Sequence, residues 1–575
     1  MSPEIETPAP EADAGHRATH EIGSAPRAGA AVLLGSAALA ACGGGGSAGT
    51  TQAPTPPPLA PPPPLTPPPS TITAQQSSRF LAQATTGASK ADITALSNSS
   101  FDAWLNTQFA MARPTKFWDW LVANGYNVPA NQNNQTGFDP MMWSQIIGAA
   151  DTLRQRVGLA LLTQWVVSID GITGSFRQFA MAAYLDILWD NAFGNYRDLM
   201  EQVSTNVAMG LYLTFLGSGK ANPATGSVPD ENYARELMQL FTIGLYQLND
   251  DGTQVLSSGK PVETYSQADV SGLARVWTGY VYASNDGSTP DRTRAPMAIN
   301  ANQHETGAST FLGISVPAGN DGPTSRRIAL DGIFAHPNLP PFVSKQLIQH
   351  LVTSNPSPAY VGRVSAVFRN NGSGVRGDMK SVIRAILTDS EARADTTATT
   401  TFGKLREPVL RLTQWARAFG VTSPTNLWPF GNTNSTSNRL GQSPGRAPSV
   451  FNFFRPGYTP PGTAVADGGL VAPEFQITNE PQVVAYVNYM QTLIANGAGE
   501  AKPDYSALAS LASDSQALLN ELNLVLAAGQ ISAATIAQMK AALDSIGVST
   551  QAGITNRITT AILLVMASPE YLVLK

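Results

Sequence analysis

Ile554-Thr555-Asn556-Arg557-Ile558-Thr559-Thr560-Ala561-Ile562-Leu563-Leu564-Val565 sets apolar side chains at 554, 558, 561, 562 and 565. Steps of three and four return a side chain to the same face of an α-helix, so this stretch predicts an amphipathic helix with one buried stripe. The same interval joins Leu153, Val157, Ala160 and Leu161, and again Phe342, Gln346 or Leu347, and His350 or Leu351. Period-two runs are scarce; residues 279–282 and 310–316 are the best strand candidates, and both are short. Polar segments rich in Asn, Thr, Gly and Pro, at 283–308, 394–401 and 423–447, read as surface loops. The expected fold is mostly α: a large multi-helix globular domain with long loops and at most a few short strands.

With 43% hydrophobic residues in 575, the chain can bury a sizeable core. Charged residues make up only 13% and the formal net charge is -5, which argues against a nucleic-acid partner, since phosphate neutralisation needs a basic face. There is one cysteine, Cys42. The rest of the chain therefore has no disulfide, thiolate zinc site or cysteine nucleophile.

Cys42 ends an almost wholly small and apolar run from residue 28, in the order Leu39-Ala40-Ala41-Cys42. The run is the length of an export-signal core and too short to span a bilayer. Its end resembles a lipobox, in which cleavage leaves an acylated cysteine as the new N-terminus. Two or three acyl chains, at about 0.8 kcal/mol per buried methylene, hold a protein on a membrane without a spanning helix. The preceding segment is unusual for such a signal, with Glu4, Glu6, Glu11, Asp13 and Glu21 against Arg17 and Arg27. After Cys42 come four glycines and the proline clusters 56–58, 61–64 and 67–69, a composition that forms a flexible joint and an extended spacer rather than a core. The expected organisation is a lipoprotein-type export signal at 1–41, an acylated Cys42 with a Gly/Pro-rich spacer at 42–72, and a helical body at 73–575, with an alanine- and leucine-rich subregion at 498–575. Gly43 after the cysteine points to the outer membrane.

The densest chemistry lies in Pro229-Asp230-Glu231-Asn232-Tyr233-Ala234-Arg235-Glu236-Leu237-Met238-Gln239-Leu240-Phe241. Pro229 and Asp230 suit a helix start. Tyr233, Leu237, Leu240 and Phe241 make an apolar stripe, and Asn232, Arg235, Glu236 and Gln239 a polar one beside it. Arginine and a carboxylate recur together at Arg406 and Glu407, and Arg154 and Arg156 lie near Asp151. In a chain of low charge, such residues either form buried ion pairs that fix helix register or serve a site. In the second case Glu236 is a general acid or base, and Asn232, Arg235, Gln239, Arg406, Glu407 and Trp277 contact a ligand. Of the body's histidines, His304 beside Glu305 is the best acid or base, His336 opens a helix and His350 packs among apolar neighbours. No metal-ligand spacing, nucleotide fingerprint or nucleophile elbow occurs in a supporting context, so no cofactor and no metal are expected. The loop Phe451 to Pro461 offers aromatic faces on which a polysaccharide could stack.

The segment from Pro229 to Leu248, with Asn-Tyr-Ala-Arg-Glu-Leu and then Leu-Phe-Thr-Ile-Gly-Leu, resembles the signature of the bacterial domain of unknown function 1800 family. Tyr265-Ser266-Gln267-Ala268-Asp269-Val270, Trp277-Thr278-Gly279-Tyr280, His304-Glu305, Lys404-Leu405-Arg406-Glu407-Pro408 and Pro448 to Pro456 extend the similarity over most of the body. Glu305 stands where the family commonly has aspartate. The family carries no assigned activity. The resemblance implies a partner from a second uncharacterised family, domain of unknown function 1501, which itself resembles the alkaline-phosphatase and sulfatase group. Two functions are therefore expected in competition: a lipid-anchored envelope component that binds or assembles an extracellular polymer or a partner protein, and a polysaccharide hydrolase or lyase using Glu236.

Overall fold

Thr550 caps the helix Gln551–Ala567 by accepting a hydrogen bond from the amide of Gly553, and Ile558, Ala561, Ile562 and Val565 form its buried stripe. That stripe packs on the helices Ser515–Ala527 and Glu480–Asn496. The computed structural model of the protein describes residues 72–575; the apolar run, Cys42 and the spacer to residue 71 lie outside the described residues. The first described helix, Ala74–Ala84, opens on a capping box between Thr73 and Gln76 and lies against Ser515–Ala527, with Ser78 Oγ donating to the Leu524 carbonyl at 2.7 Å. The two ends of the body are thereby packed together, and the described residues cluster as one compact unit. Among the described residues, no helix is long and apolar enough to cross a membrane.

Three helices form the centre. Thr152–Gln164 packs against Arg177–Asp190 on one side and Leu339–Leu351 on another. The first two are buried around most of their circumference, and the third from Val343 onward on most faces. A helix so enclosed is usually apolar all round. These carry Gln155, Arg156, Gln164, Gln178, Gln346, Gln349 and His350 into the interior, so the core contains a hydrogen-bonded polar layer. Gly158 marks one close approach: a Cβ there would meet the Trp189 ring at 2.4 Å, while Trp189 Nε1 donates to Gln155 Oε1 at 2.7 Å.

The fold is mostly α with only short two-stranded sheets. Ser309–Phe311 pairs with Ile314–Val316 through a turn in which Leu312 and Gly313 both have positive φ, and Tyr280–Val281 pairs with Ala298–Ile299. The pair Lys404–Leu405 with Val573–Leu574 ties the C-terminal strand to the Lys-Leu-Arg-Glu-Pro motif. Two local expectations are corrected. The signature helix begins at Asn232 rather than beside Pro229, and after Glu236 it widens into a π-helical turn, Leu237–Thr242. Residues 441–447, within an expected surface loop, are buried. Their polar groups find partners: Gln442 Oε1 accepts from the amide of Val409 at 3.1 Å, the Gly445 carbonyl accepts from the amide of Ile169 at 3.0 Å, and Arg446 is paired with Asp139 at 2.8 Å and Asp170 at 2.7 Å. Each buried backbone or guanidinium group that finds such a partner avoids a desolvation penalty of about 1–3 kcal/mol.

Candidate functional site

The helix Leu339–Leu351 starts on Pro340 and Pro341, which lose no hydrogen bond in the first turn. Phe342, Lys345, Gln346, Gln349 and His350 of this helix line a groove of about 1600 Å³. The π-helical turn, which touches this helix, supplies a second wall. It keeps Leu237, Met238, Phe241 and Thr242 buried and leaves Gln239 and Leu240 on the groove. A π-turn rotates the residues that follow relative to an α-helix, and such turns recur at functional sites. A third wall is the loop of Val450, Phe451, Phe454, Arg455 and Tyr458, where the Arg455 guanidinium lies 4.5 Å over the Phe451 ring.

Two buried atoms on groove-lining residues have no protein partner: Gln164 Oε1 and His350 Nε2. His350 is held neutral, its pKa pushed well below the usual imidazole range by burial and then by the positive charges of Lys404 and Arg156. Its backbone carbonyl accepts from Lys404 Nζ at 2.7 Å and from Arg156. Lys404 lies 3.0 Å from the Glu474 carboxylate and 3.8 Å from Glu407. Burial raises the Glu474 carboxyl pKa, and the neighbouring Lys404 opposes that rise. Glu407 Oε2 accepts from Gln442 Nε2 at 2.9 Å. Arg156, Glu407 and Thr163 also line a smaller recess of about 40 Å³; Thr163 lines the groove as well.

The residues singled out from sequence are distributed unevenly around these features. Gln239 lines the groove and accepts from Tyr265 Oη at 3.1 Å. Glu407 lines the recess. Arg406 is buried behind them, its Nε donating to the Tyr571 carbonyl at 2.7 Å and a terminal nitrogen to Gln414 Oε1 at 2.9 Å. Asn232 is exposed and donates to Thr214 Oγ1 at 2.7 Å. Arg235 pairs with Glu231 at 3.1 Å and donates to Gln267 at 3.0 Å. Trp277 sits in an aromatic cluster, 4.9 Å from Tyr233 and 5.9 Å from Tyr280. His304 is buried, with Nδ1 2.9 Å from the Thr278 carbonyl. Neither Glu236 nor His304 lines the groove or the recess. Glu236 is half-buried one turn before Gln239; its Oε2 has no partner, and burial pushes its carboxyl up to about 7 against the opposing charge of Arg235.

The sequence marks Arg156, with Arg154 near Asp151, as a charge that must find a partner or serve a site, and the structure pairs Arg154 with Asp151 at 3.3 Å; Lys404, Glu474 and Arg446 were missed as site-forming residues. Lys404 carried a signal, since it stands beside Arg406 and Glu407 in an otherwise apolar stretch of a chain with little charge. Glu474 and Arg446 lie in segments whose composition matches an ordinary loop.

Comparison with known proteins matches residues 79–573 to a family described as protein of unknown function (DUF1800). No curated protein and no solved structure matches the chain.

Proposed function

The chain belongs to the DUF1800 family, and from the groove built on its central helices we propose that it is a polymer-binding component of the cell envelope, anchored through acylated Cys42 to the outer membrane. The observation that carries this reading is the groove's size and lining. A site for one small molecule occupies about 300–1,000 Å³. A groove of about 1600 Å³ has room for several linked sugar rings. Its walls combine the aromatic faces of Tyr246, Phe451 and Tyr458 with the amides of Gln239, Gln346 and Asn355. Aromatic faces cover the apolar side of a pyranose, and amides match hydroxyls with both donor and acceptor. An enzyme of the DUF1501 family could then act on the strand held here.

The test is calorimetric titration of the full chain with size-fractionated polysaccharide from the organism's own envelope. Tyr458→Ala and Phe451→Ala should each weaken binding about two- to tenfold, in line with roughly 0.5–1.5 kcal/mol per aromatic contact. Unchanged affinity in both variants would remove the groove from the account.

A second reading, cleavage of the polymer with Glu236 as acid, draws on that carboxyl being held up to about 7, one turn from Gln239. Such a group is about half protonated at neutral pH, in the range that suits general acid work. Loss of polymer cleavage in Glu236→Gln with binding retained would favour it over binding alone.

A further inference from the structure

Arg156 is 2% exposed, yet among the described residues no carboxylate lies within ion-pair distance of it. Its one protein hydrogen bond goes to the His350 carbonyl, and Nε has no partner. An isolated buried cation is costly, and proteins that keep one give it a counter-charge. The charges around it do not balance. Arg156, Lys404, Arg406 and Arg411 are buried cations, and Glu407 and Glu474 are the buried carboxylates among them, which leaves an excess of two positive charges. Lys404 is paired with both carboxylates, and these act on Arg156 only from beyond ion-pair distance. Arg406 and Arg411 each keep one unpartnered nitrogen as well.

The recess lined by Arg156 is about 40 Å³. At about 10–15 Å³ for each water-sized position, it has room for roughly three such positions, the size of a carboxylate group or a halide with water. The first turn of the helix Pro408–Ala418 lines it through Val409 and Leu410, adding the positive end of a helix dipole. Glu407 lines the same recess and opposes an anion, but its Oε2 is engaged by Gln442 and its charge is offset by Lys404.

We propose that this recess is an anion subsite beneath the groove, in which Arg156 holds one carboxylate or halide ion. The site is independent of the polymer reading, because a free ion can fill it; a carboxylate carried by an acidic sugar could reach it beside Thr163, which borders both spaces.

The test uses the full chain at constant ionic strength, with chloride, bromide or acetate compared against methanesulfonate, which is too bulky for the recess. At a hundredfold excess over the dissociation constant, the small anions should raise the unfolding midpoint by about 2–3 °C and then saturate. Chloride-35 resonance broadening should report binding directly and be reversed by acetate. Arg156→Met should abolish both effects. Because that variant can also lose the fold, Ala447→Leu provides a second route: it keeps Arg156 and fills the recess from its wall. Displacement of chloride by galacturonate oligomers assigns the carboxylate to a groove ligand, and displacement by acetate alone assigns the site to free ions; both sustain the subsite. Equal midpoints in all anions with no chloride broadening, or effects retained in Ala447→Leu, would overturn it.

Discussion

Glu236→Gln should make the protein more stable at alkaline pH and leave it nearly unchanged near pH 4.5. Burial lifts the Glu236 carboxyl from an ordinary value of 4.5 to about 7. Between these values the unfolded chain releases the proton while the folded chain keeps it, so the folded state binds more protons and stability falls as pH rises. At 1.36 kcal/mol per tenfold change the full difference is about 3 kcal/mol. Glu236 is only half-buried, and solvent screening reduces this to about 2 kcal/mol. Glutamine keeps the shape and cannot ionise. For a body of this size, with about 2.1 cal/mol/K per residue of unfolding entropy, the variant's midpoint should exceed that of the natural chain by about 2 °C at pH 8, with little difference at pH 4.5. Paired thermal scans from pH 4 to 9 measure the difference and cancel the slopes of other carboxyls. A constant difference across this range, or a less stable variant at pH 8, would refute the reasoning.

Lys404→Met strands Glu474 beside Glu407 in the interior and should cost about 3–5 kcal/mol, while adding Glu474→Gln should recover a large part, as read by denaturant midpoints. Gly158→Ala should destabilise by about 1–3 kcal/mol, because the new methyl would overlap the Trp189 ring; near-UV circular dichroism should register the displaced indole. Cys42→Ser should move the protein from the membrane to the soluble fraction with its far-UV spectrum intact, and membrane retention would reject the acyl anchor.

Features set by neighbours close in the chain were legible in the sequence. The stripe from Ile558 to Val565 and the hairpin around Leu312 and Gly313 need only local periodicity and a turn. Residues 441–447 read as surface because their composition is that of a loop; they are buried because Arg446 meets Asp139 and Asp170, 307 and 276 residues away. The π-turn was illegible for another reason. Tyr233, Leu237 and Phe241 keep α spacing, and the widened turn shows only in which side chains face the groove. The candidate site followed the same division. Gln239 was found on the polar stripe of one helix, whereas the charged cluster of Arg156, Lys404 and Glu474 around the His350 carbonyl is brought together from four separate segments.

The central claim is that a polymer strand lies in this groove. Hydrogen–deuterium exchange of the full chain, with and without saturating envelope polysaccharide, tests it most directly. The account predicts slowed exchange in peptides covering 237–256, 342–358 and 450–459, with no change in the helix Ala533–Asp544, whose residues do not line the groove. Protection confined to other surfaces, or none under saturating polymer, would contradict it.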